Sequence, residues 1–195
     1  YREIASRFDE RWGGFGGAVY LEARPADWIQ DVFAMPRIAA SQAQVRVTLK
    51  TARSDWPKGM TVTAEVVPWD SAGRPTASAG KAQQPLPAAD AREQTLELPV
   101  TLAPLRLWSP DNPFLYELEV STGTDTQWTR FGMREFHFDP TTGRAMLNGR
   151  PWFLRGSNVT LYRFLEDAER GNRPWRAEWV RRLHRKFKDM HWHRP

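Results

Sequence analysis

The sequence predicts a mainly β protein, in which an antiparallel β-sandwich is followed by the first βα unit of an incomplete β/α repeat. Three observations lead to this prediction. Short runs of alternating apolar and polar residues recur between residues 27 and 136, and a helical pattern appears only near the end of the chain. Between these two regions lie a hairpin signal and a short apolar run.

The sandwich is predicted from strands with a two-residue period. Val45, Val47 and Leu49 alternate with polar residues, which is typical of a strand with one buried face. Comparable runs lie at residues 60–66, 96–100, 117–121 and 128–130, and turn-forming segments such as 71–75 and 122–125 separate them. The Pro- and Ala-rich stretch at residues 74–91 is expected to be a surface connection or a weak edge strand.

The character of the sequence changes after Pro140. Asn148-Gly149 is a strong signal for a two-residue type I′ hairpin turn. The apolar run at residues 152–154 (WFL) predicts a strand that is buried on both faces. Residues 175–190 then place apolar side chains on one helical face and arginines on the other, and residues 191–193 (HWH) suggest a further strand. Strand, loop, helix and strand in this order are the opening of a β/α repeat.

Composition excludes several classes of function. The chain has no cysteine, so disulfide and thiolate chemistry are excluded, and no apolar run approaches the length needed to cross a membrane. The net charge is +5, but residues 166–195 hold nine Lys and Arg against five Asp and Glu, which leaves the rest nearly balanced. A nucleic-acid partner is therefore not expected. The hypothesis that the chain binds nucleic acid rests on the pI of about 9.9 alone. His191 and His193 could share a strand face, but no third ligand is apparent, so neither a metal nor a cofactor is expected.

Several sequence blocks resemble glycoside hydrolase family 2, and they occur in the order that the family uses. Residues 107–116 (LWSPDNPFLY) resemble the signature near the end of its immunoglobulin-like domain, and residues 131–134 (FGMR) resemble its glycine-arginine strand. Residues 147–158 (LNGRPWFLRGSN) are similar to the start of its catalytic barrel, and residues 13–19 (GGFGGAV) to the last strand of its N-terminal sugar-binding-like domain. The resemblance therefore extends over nearly the whole chain.

The resemblance implies three parts. Residues 1–25 would be the tail of a preceding jelly-roll domain, residues 26–137 an immunoglobulin-like β-sandwich, and residues 138–195 the truncated start of a (β/α)8 barrel. It further implies that the complete protein is a retaining hydrolase of β-linked sugars with two catalytic glutamates, both expected beyond Pro195. Its partner would be a carbohydrate substrate bound by the complete barrel, and a homo-oligomer of the parent enzyme is left open.

The same resemblance places four substrate-binding candidates on the loop after the first barrel strand: Asn158, Thr160, Tyr162 and Arg163. Many members that resemble β-galactosidase carry Asn-Arg-His-Glu at this point, whereas this chain continues from Asn158 with Val-Thr-Leu-Tyr. Asn158 would contact a sugar hydroxyl or, alternatively, serve as a turn residue.

A second hypothesis is a carbohydrate-binding or structural β-sandwich module without catalysis. It rests on ten tryptophans, because indole rings stack on sugars, although large sandwiches also fill their cores with aromatic residues.

Overall fold

The computed structural model describes residues 19, 21–74, 76–154 and 176–190. Within these ranges the chain forms ten strands and one α-helix, α1 (Ala177–Asp189). The strands are β1 (Asp27–Arg37), β2 (Gln42–Thr51), β3 (Thr61–Pro68), β4 (Gly80–Pro85), β5 (Glu93–Thr101), β6 (Tyr116–Ser121), β7 (Thr126–Phe131), β8 (Phe136–Phe138), β9 (Ala145–Leu147) and β10 (Arg150–Pro151). A short 3-10 turn (Ile38–Ala40) joins β1 to β2.

Seven of these strands form two antiparallel sheets that share one core. One sheet has the order β1-β2-β5 and the other the order β4-β3-β6-β7. The predicted alternation is confirmed, because the apolar residues of each run point into the space between the sheets. Fully buried core residues include Val45, Val47, Leu49, Val62, Ala64, Val66, Leu98, Val100, Leu118 and Val120.

The stretch at residues 74–91 contains β4, which among the described strands pairs with β3 alone and therefore lies at the edge of its sheet. This confirms the weak edge strand that composition predicted. The strand ends at Pro85, and proline is tolerated at an edge because it has no N–H to donate to a neighbour.

Two buried or partly buried aspartates hold the start of β1 in place. The Asp125 carboxylate, in the β6–β7 turn, accepts hydrogen bonds from the backbone N–H of Ile29 at 2.8 Å and of Thr126 at 2.9 Å. The Asp27 side chain is only 3% exposed and accepts from the Thr51 hydroxyl at 2.6 Å and from Arg53 Nε at 2.9 Å. Asp125 lies in a turn of the four-stranded sheet and Ile29 in a strand of the other sheet. The hydrogen bond between them therefore joins the two sheets.

A third, smaller sheet has the order β8-β9-β10. Its β9–β10 turn has positive φ angles at both central residues, 51° at Asn148 and 75° at Gly149. The predicted two-residue hairpin is therefore confirmed, since a type I′ turn requires this backbone conformation.

The prediction of a buried strand at residues 152–154 is wrong for the described structure. The Trp152 N–H still donates to the Ala145 carbonyl at 2.8 Å, but residues 152–154 belong to no strand. Phe153 is 64% exposed and Leu154 57% exposed. A strand that is buried on both faces would leave side chains at these positions little exposed, which is not the case here.

The helix predicted at residues 175–190 is confirmed as α1. Trp179, Leu183 and Phe187 are half-buried along one face, and the opposite face is exposed. Glu178 lies in the first turn and Lys186 and Lys188 in the last, so their charges interact favourably with the helix dipole.

Candidate functional site

The four predicted substrate-binding residues, Asn158, Thr160, Tyr162 and Arg163, lie outside the described residues. The histidine pair at residues 191 and 193 lies outside them as well. The structure instead describes how the sandwich connects to the hairpin that precedes this loop. We call this connection the junction; it consists of Trp108, Gly132, Arg134, Glu135 and Asn148.

Trp108 packs directly on Gly132 at the centre of the junction. The Trp108 N–H donates to the Met133 carbonyl at 2.9 Å, which holds the two segments side by side. A Cβ atom added at Gly132 would lie 2.8 Å from both Cβ and Cγ of Trp108, closer than ordinary contact distances. Only glycine therefore fits against this indole ring, so Trp108 and Gly132 form one packed contact although they lie 24 positions apart in the sequence.

Arg134 covers the indole ring of Trp108. Its guanidinium carbon lies 4.3 Å from the ring centroid, within the range of a cation–π interaction. Such a contact at an exposed site contributes about 0.5–1 kcal/mol. Arg134 is itself exposed to solvent.

Asn148 ties the small sheet to the sandwich. Its Nδ2 donates to the Trp108 carbonyl at 2.9 Å, and its Oδ1 accepts from the Glu135 N–H at 3.0 Å. The Asn148 N–H donates to the Glu135 carbonyl at 2.9 Å, and the Glu135 carboxylate accepts from the Ile38 N–H at 2.8 Å. One turn residue thus connects the hairpin, the β7–β8 link and the loop before β6, while its neighbour Glu135 reaches the turn after β1.

The loop that carries Trp108 is anchored on buried Tyr116. The Tyr116 hydroxyl accepts from the Arg106 N–H at 2.9 Å and donates to the Pro104 carbonyl at 3.4 Å. Its ring stacks on Phe131 at 5.7 Å and meets Phe114 edge-on at 5.0 Å. The two family-like blocks at residues 107–116 and 131–134 are therefore packed against each other.

Two carboxyl groups outside the junction, Asp139 and Asp70, have lowered pKa values. Hydrogen bonds from the N–H and hydroxyl of Thr142, with a further N–H from Thr141, hold the pKa of Asp139 below its ordinary value. Hydrogen bonds from Arg74 and from the Ala72 N–H likewise lower the pKa of Asp70. A glycosidase acid needs the opposite, a raised pKa, so neither of these carboxyls suits that role.

Within the described ranges, no group of three or more His, Asp or Glu side chains is arranged to hold a metal ion. None of the helices in that part of the chain is both long and apolar enough to span a membrane.

The sequence pattern of the family described as Glycosyl hydrolases family 2 matches residues 28–134. The chain belongs to this family. The match covers more than half of the chain and ends at Arg134, so it contains both sheets of the sandwich and the Trp108–Gly132 contact. No curated protein sequence matches the chain.

Solved structures agree with the sandwich fold. A family 2 member from Bacteroides cellulosilyticus is 22% identical, with a TM-score of 0.54, over 70% of this chain and 18% of its own. A GH2 β-galacturonidase from Eisenbergiella tayi is 18% identical, with a TM-score of 0.50, over 68% of this chain and 22% of its own. At this identity the similarity concerns the fold alone. The chain spans about a fifth of the length of these proteins.

Sequence reasoning missed part of the junction. Asn148 was predicted only as a turn residue, and Glu135 was not singled out. The presence of Trp108, Gly132 and Arg134 in the blocks at residues 107–116 and 131–134 was a usable signal. Nothing in the sequence indicated that the Asn148 amide reaches the loop before β6.

Proposed function

We propose that this chain is the sandwich portion, with the start of the catalytic barrel, of a longer retaining hydrolase that acts on β-linked sugars. The observation that carries the proposal is the family match over residues 28–134, together with a chain that spans about a fifth of its structural relatives. In this proposal the sandwich is immunoglobulin-like and residues 138–195 begin a (β/α)8 barrel.

The role proposed for the sandwich is to position the barrel. The junction supports this role, because five hydrogen bonds and one cation–π contact hold the chain at Trp108, Glu135 and Asn148 before it continues towards residue 155. A connection of this kind restricts rotation between two domains, which a single flexible linker would not do. On the small sheet, the exposed rings of Phe136 and Phe138 meet edge-on at 5.6 Å, and we assign them to the face that the barrel covers.

The chemistry proposed for the complete protein uses two glutamates beyond Pro195. One would protonate the leaving oxygen and then activate water, and the other would form a covalent glycosyl-enzyme intermediate. Asn158, Thr160, Tyr162 and Arg163 would lie at the rim of the pocket and bind sugar hydroxyls. Their assignment rests on the position of Asn158 directly after the Arg155-Gly156-Ser157 step.

The test is an activity assay on the protein encoded by the full reading frame. We expect hydrolysis of at least one p-nitrophenyl β-glycoside from a panel of galactoside, glucoside, mannoside, glucuronide and galacturonide. Proton NMR should show that the first product keeps the β configuration, and a 2-deoxy-2-fluoro glycoside should label one glutamate. An α-configured first product would contradict the retaining mechanism, and no hydrolysis of any substrate would contradict the enzyme assignment.

The 195-residue chain is the matched negative control, since it is expected to hydrolyse none of these substrates. In the longer protein, Asn158→Ala should raise KM more than it lowers kcat, because a residue that binds the sugar equally in ground and transition states affects KM alone. An unchanged KM would remove Asn158 from the rim.

A carbohydrate-binding module is the second candidate function. Trp128 favours it, because this side chain is 60% exposed on the outer face of the four-stranded sheet. Hydrolysis by the longer protein would exclude binding as the sole function.

A further inference from the structure

We propose that the outer face of the four-stranded sheet binds an oligosaccharide at a site separate from the barrel. The site is a row of four side chains, which we call the outer row: Trp128 on β7, Glu119 on β6, Glu65 on β3 and Lys81 on β4. These residues are direct cross-strand neighbours, since Trp128 pairs with Glu119, Glu119 with Glu65, and Glu65 with Lys81. With strands about 4.8 Å apart, the row is about 14 Å long, which is the scale of a short oligosaccharide.

Trp128 supplies a rigid apolar platform. Its Nε1 donates to the Glu119 carboxylate at 2.9 Å, which fixes the indole plane while the ring stays largely exposed. A fixed aromatic side chain loses little conformational entropy on binding, and it offers apolar area to one face of a flat ligand. The C–H face of a pyranose ring has this shape and polarity.

The two glutamates supply hydrogen-bond acceptors beside the platform. Glu65 and Glu119 lie directly opposite each other on neighbouring strands, an arrangement that destabilises a sheet when both are charged. Lys81 Nζ bonds Glu65 at 2.9 Å, and this contact, with a hydrogen bond from Ser78, lowers the pKa of Glu65. Ionised carboxylates accept strong hydrogen bonds from hydroxyl groups, so a ligand rich in hydroxyls would relieve the unfavourable pairing.

A second polar pair extends the surface along the strands. Arg130 lies opposite Glu117, and its guanidinium carbon is 5.0 Å from the ring of Trp69. Arg130 is two residues from Trp128 on the same strand, hence on the same face and about 7 Å away. Its N–H donors could therefore bind hydroxyls of a neighbouring sugar ring.

Charge selects a sugar over other partners. The outer row carries two carboxylates and one ammonium group, so a polyanion such as nucleic acid would be repelled by the acidic pair. An apolar protein surface would remove the same charges from water without replacing their hydrogen bonds, which is costly. A neutral oligosaccharide matches both the exposed ring and the charged acceptors.

The preference for β-linked sugars rests on the proposed function, whereas the existence of the site does not. We would therefore titrate the 195-residue chain with cellohexaose and with β-1,4-mannohexaose, and follow heat release and tryptophan fluorescence. We expect saturable binding to one of them in the range of about 0.01–1 mM, which is typical of a shallow site with few anchors.

Two variants and one matched control locate the site. Trp128→Ala should weaken binding by about tenfold or more, because a few aromatic anchors contribute most of the binding energy of such a site. Glu119→Gln keeps an oxygen that can accept from the indole N–H but loses the charge, so it should weaken binding by less than Trp128→Ala. Phe33→Ala is the control, since Phe33 is 54% exposed on β1 of the other sheet and should bind sugar like the wild type.

Three outcomes would overturn the proposal: no binding of either hexasaccharide, equal affinity in Trp128→Ala and the wild type, or equal loss in Phe33→Ala. Far-UV circular dichroism of each variant checks that the sheets remain folded. Failure here differs from failure of the proposed function, because hydrolysis of a p-nitrophenyl β-glycoside by the longer protein is a separate measurement.

Discussion

Gly132→Ala should destabilise the sandwich through one contact. The new Cβ would lie 2.8 Å from Cβ and Cγ of Trp108 and 2.9 Å from its Cδ1, whereas comfortable carbon contacts are about 3.5–4.0 Å. Trp108 cannot move away freely, because its N–H is bonded to Met133 and its carbonyl to Asn148. Relief would therefore require the loop before β6 and the β7–β8 link to separate.

The cost of this overpacking should be about 2 kcal/mol, within the usual range of about 1–3 kcal/mol for an added methyl group in a packed site. In a domain of roughly 100 residues, 1 kcal/mol lowers Tm by about 4–8 °C, so the expected decrease is about 8–16 °C. Urea denaturation at 25 °C, followed by far-UV circular dichroism, measures the free energy of unfolding directly.

A double-mutant cycle with Trp108→Ala tests the cause. Without the indole ring, the added methyl group has space, so Gly132→Ala should cost much less in the Trp108→Ala background. Gly123→Ala is the matched control: its Cβ would meet nothing within 4 Å, and it is disfavoured by a φ of +84° alone. Its cost should be the same in both backgrounds. An undiminished cost of Gly132→Ala in the Trp108→Ala protein would refute the steric argument.

Three further predictions concern single side chains. Asn148→Gly keeps a residue that tolerates positive φ but removes two side-chain hydrogen bonds, so hydrogen exchange of the Glu135 amide should accelerate. Asn148→Asp keeps the acceptor for that amide and should not accelerate its exchange. Equal exchange rates in the two variants would contradict the assignment. Asp27→Asn should lower the free energy of unfolding by about 2 kcal/mol in urea, because it replaces a buried charged acceptor that receives two hydrogen bonds; a loss of less than about 0.5 kcal/mol would contradict this. The lowered pKa of Glu65, caused first by its hydrogen bond with Lys81, adds stability above its unfolded pKa of about 4.3 that is lost as pH falls through the folded value. Since the pair is partly exposed, that contribution should be about 0.5 kcal/mol or less, and Glu65→Gln should flatten the stability profile between roughly pH 5 and pH 3; an unchanged slope would count against the interaction.

The strands and the hairpin could be predicted because their signals are local. Alternation at Val45, Val47 and Leu49 indicates which side of a strand is buried, whatever it packs against. Asn148 and Gly149 select a turn with positive φ angles from their own backbone preferences. The same local reasoning failed at residues 152–154, because three apolar residues form a central strand only when neighbouring strands lie on both sides.

The substrate-binding residues predicted at 158–163 remain a prediction, and they rest on the order of the family's sequence blocks. The outer row could not be predicted from the sequence, for a different reason. Trp128 and Glu119 belong to adjacent strands whose pairing could be expected, but Glu65 and Lys81 join them only through the order β4-β3-β6-β7. That order depends on connections over tens of residues, which alternation does not specify.

The sequence by itself therefore determined the β class, the buried face of each main strand, the hairpin at Asn148-Gly149 and the resemblance to the family through its ordered sequence blocks. Only the tertiary structure decided that Gly132 must lack a side chain, that the Asn148 amide bonds the loop before β6, and that Trp128 is exposed beside two carboxylates. The physical reason is range: backbone preferences and burial patterns act over a few residues, whereas these contacts join residues brought together by the pairing of distant strands and the packing of loops on them.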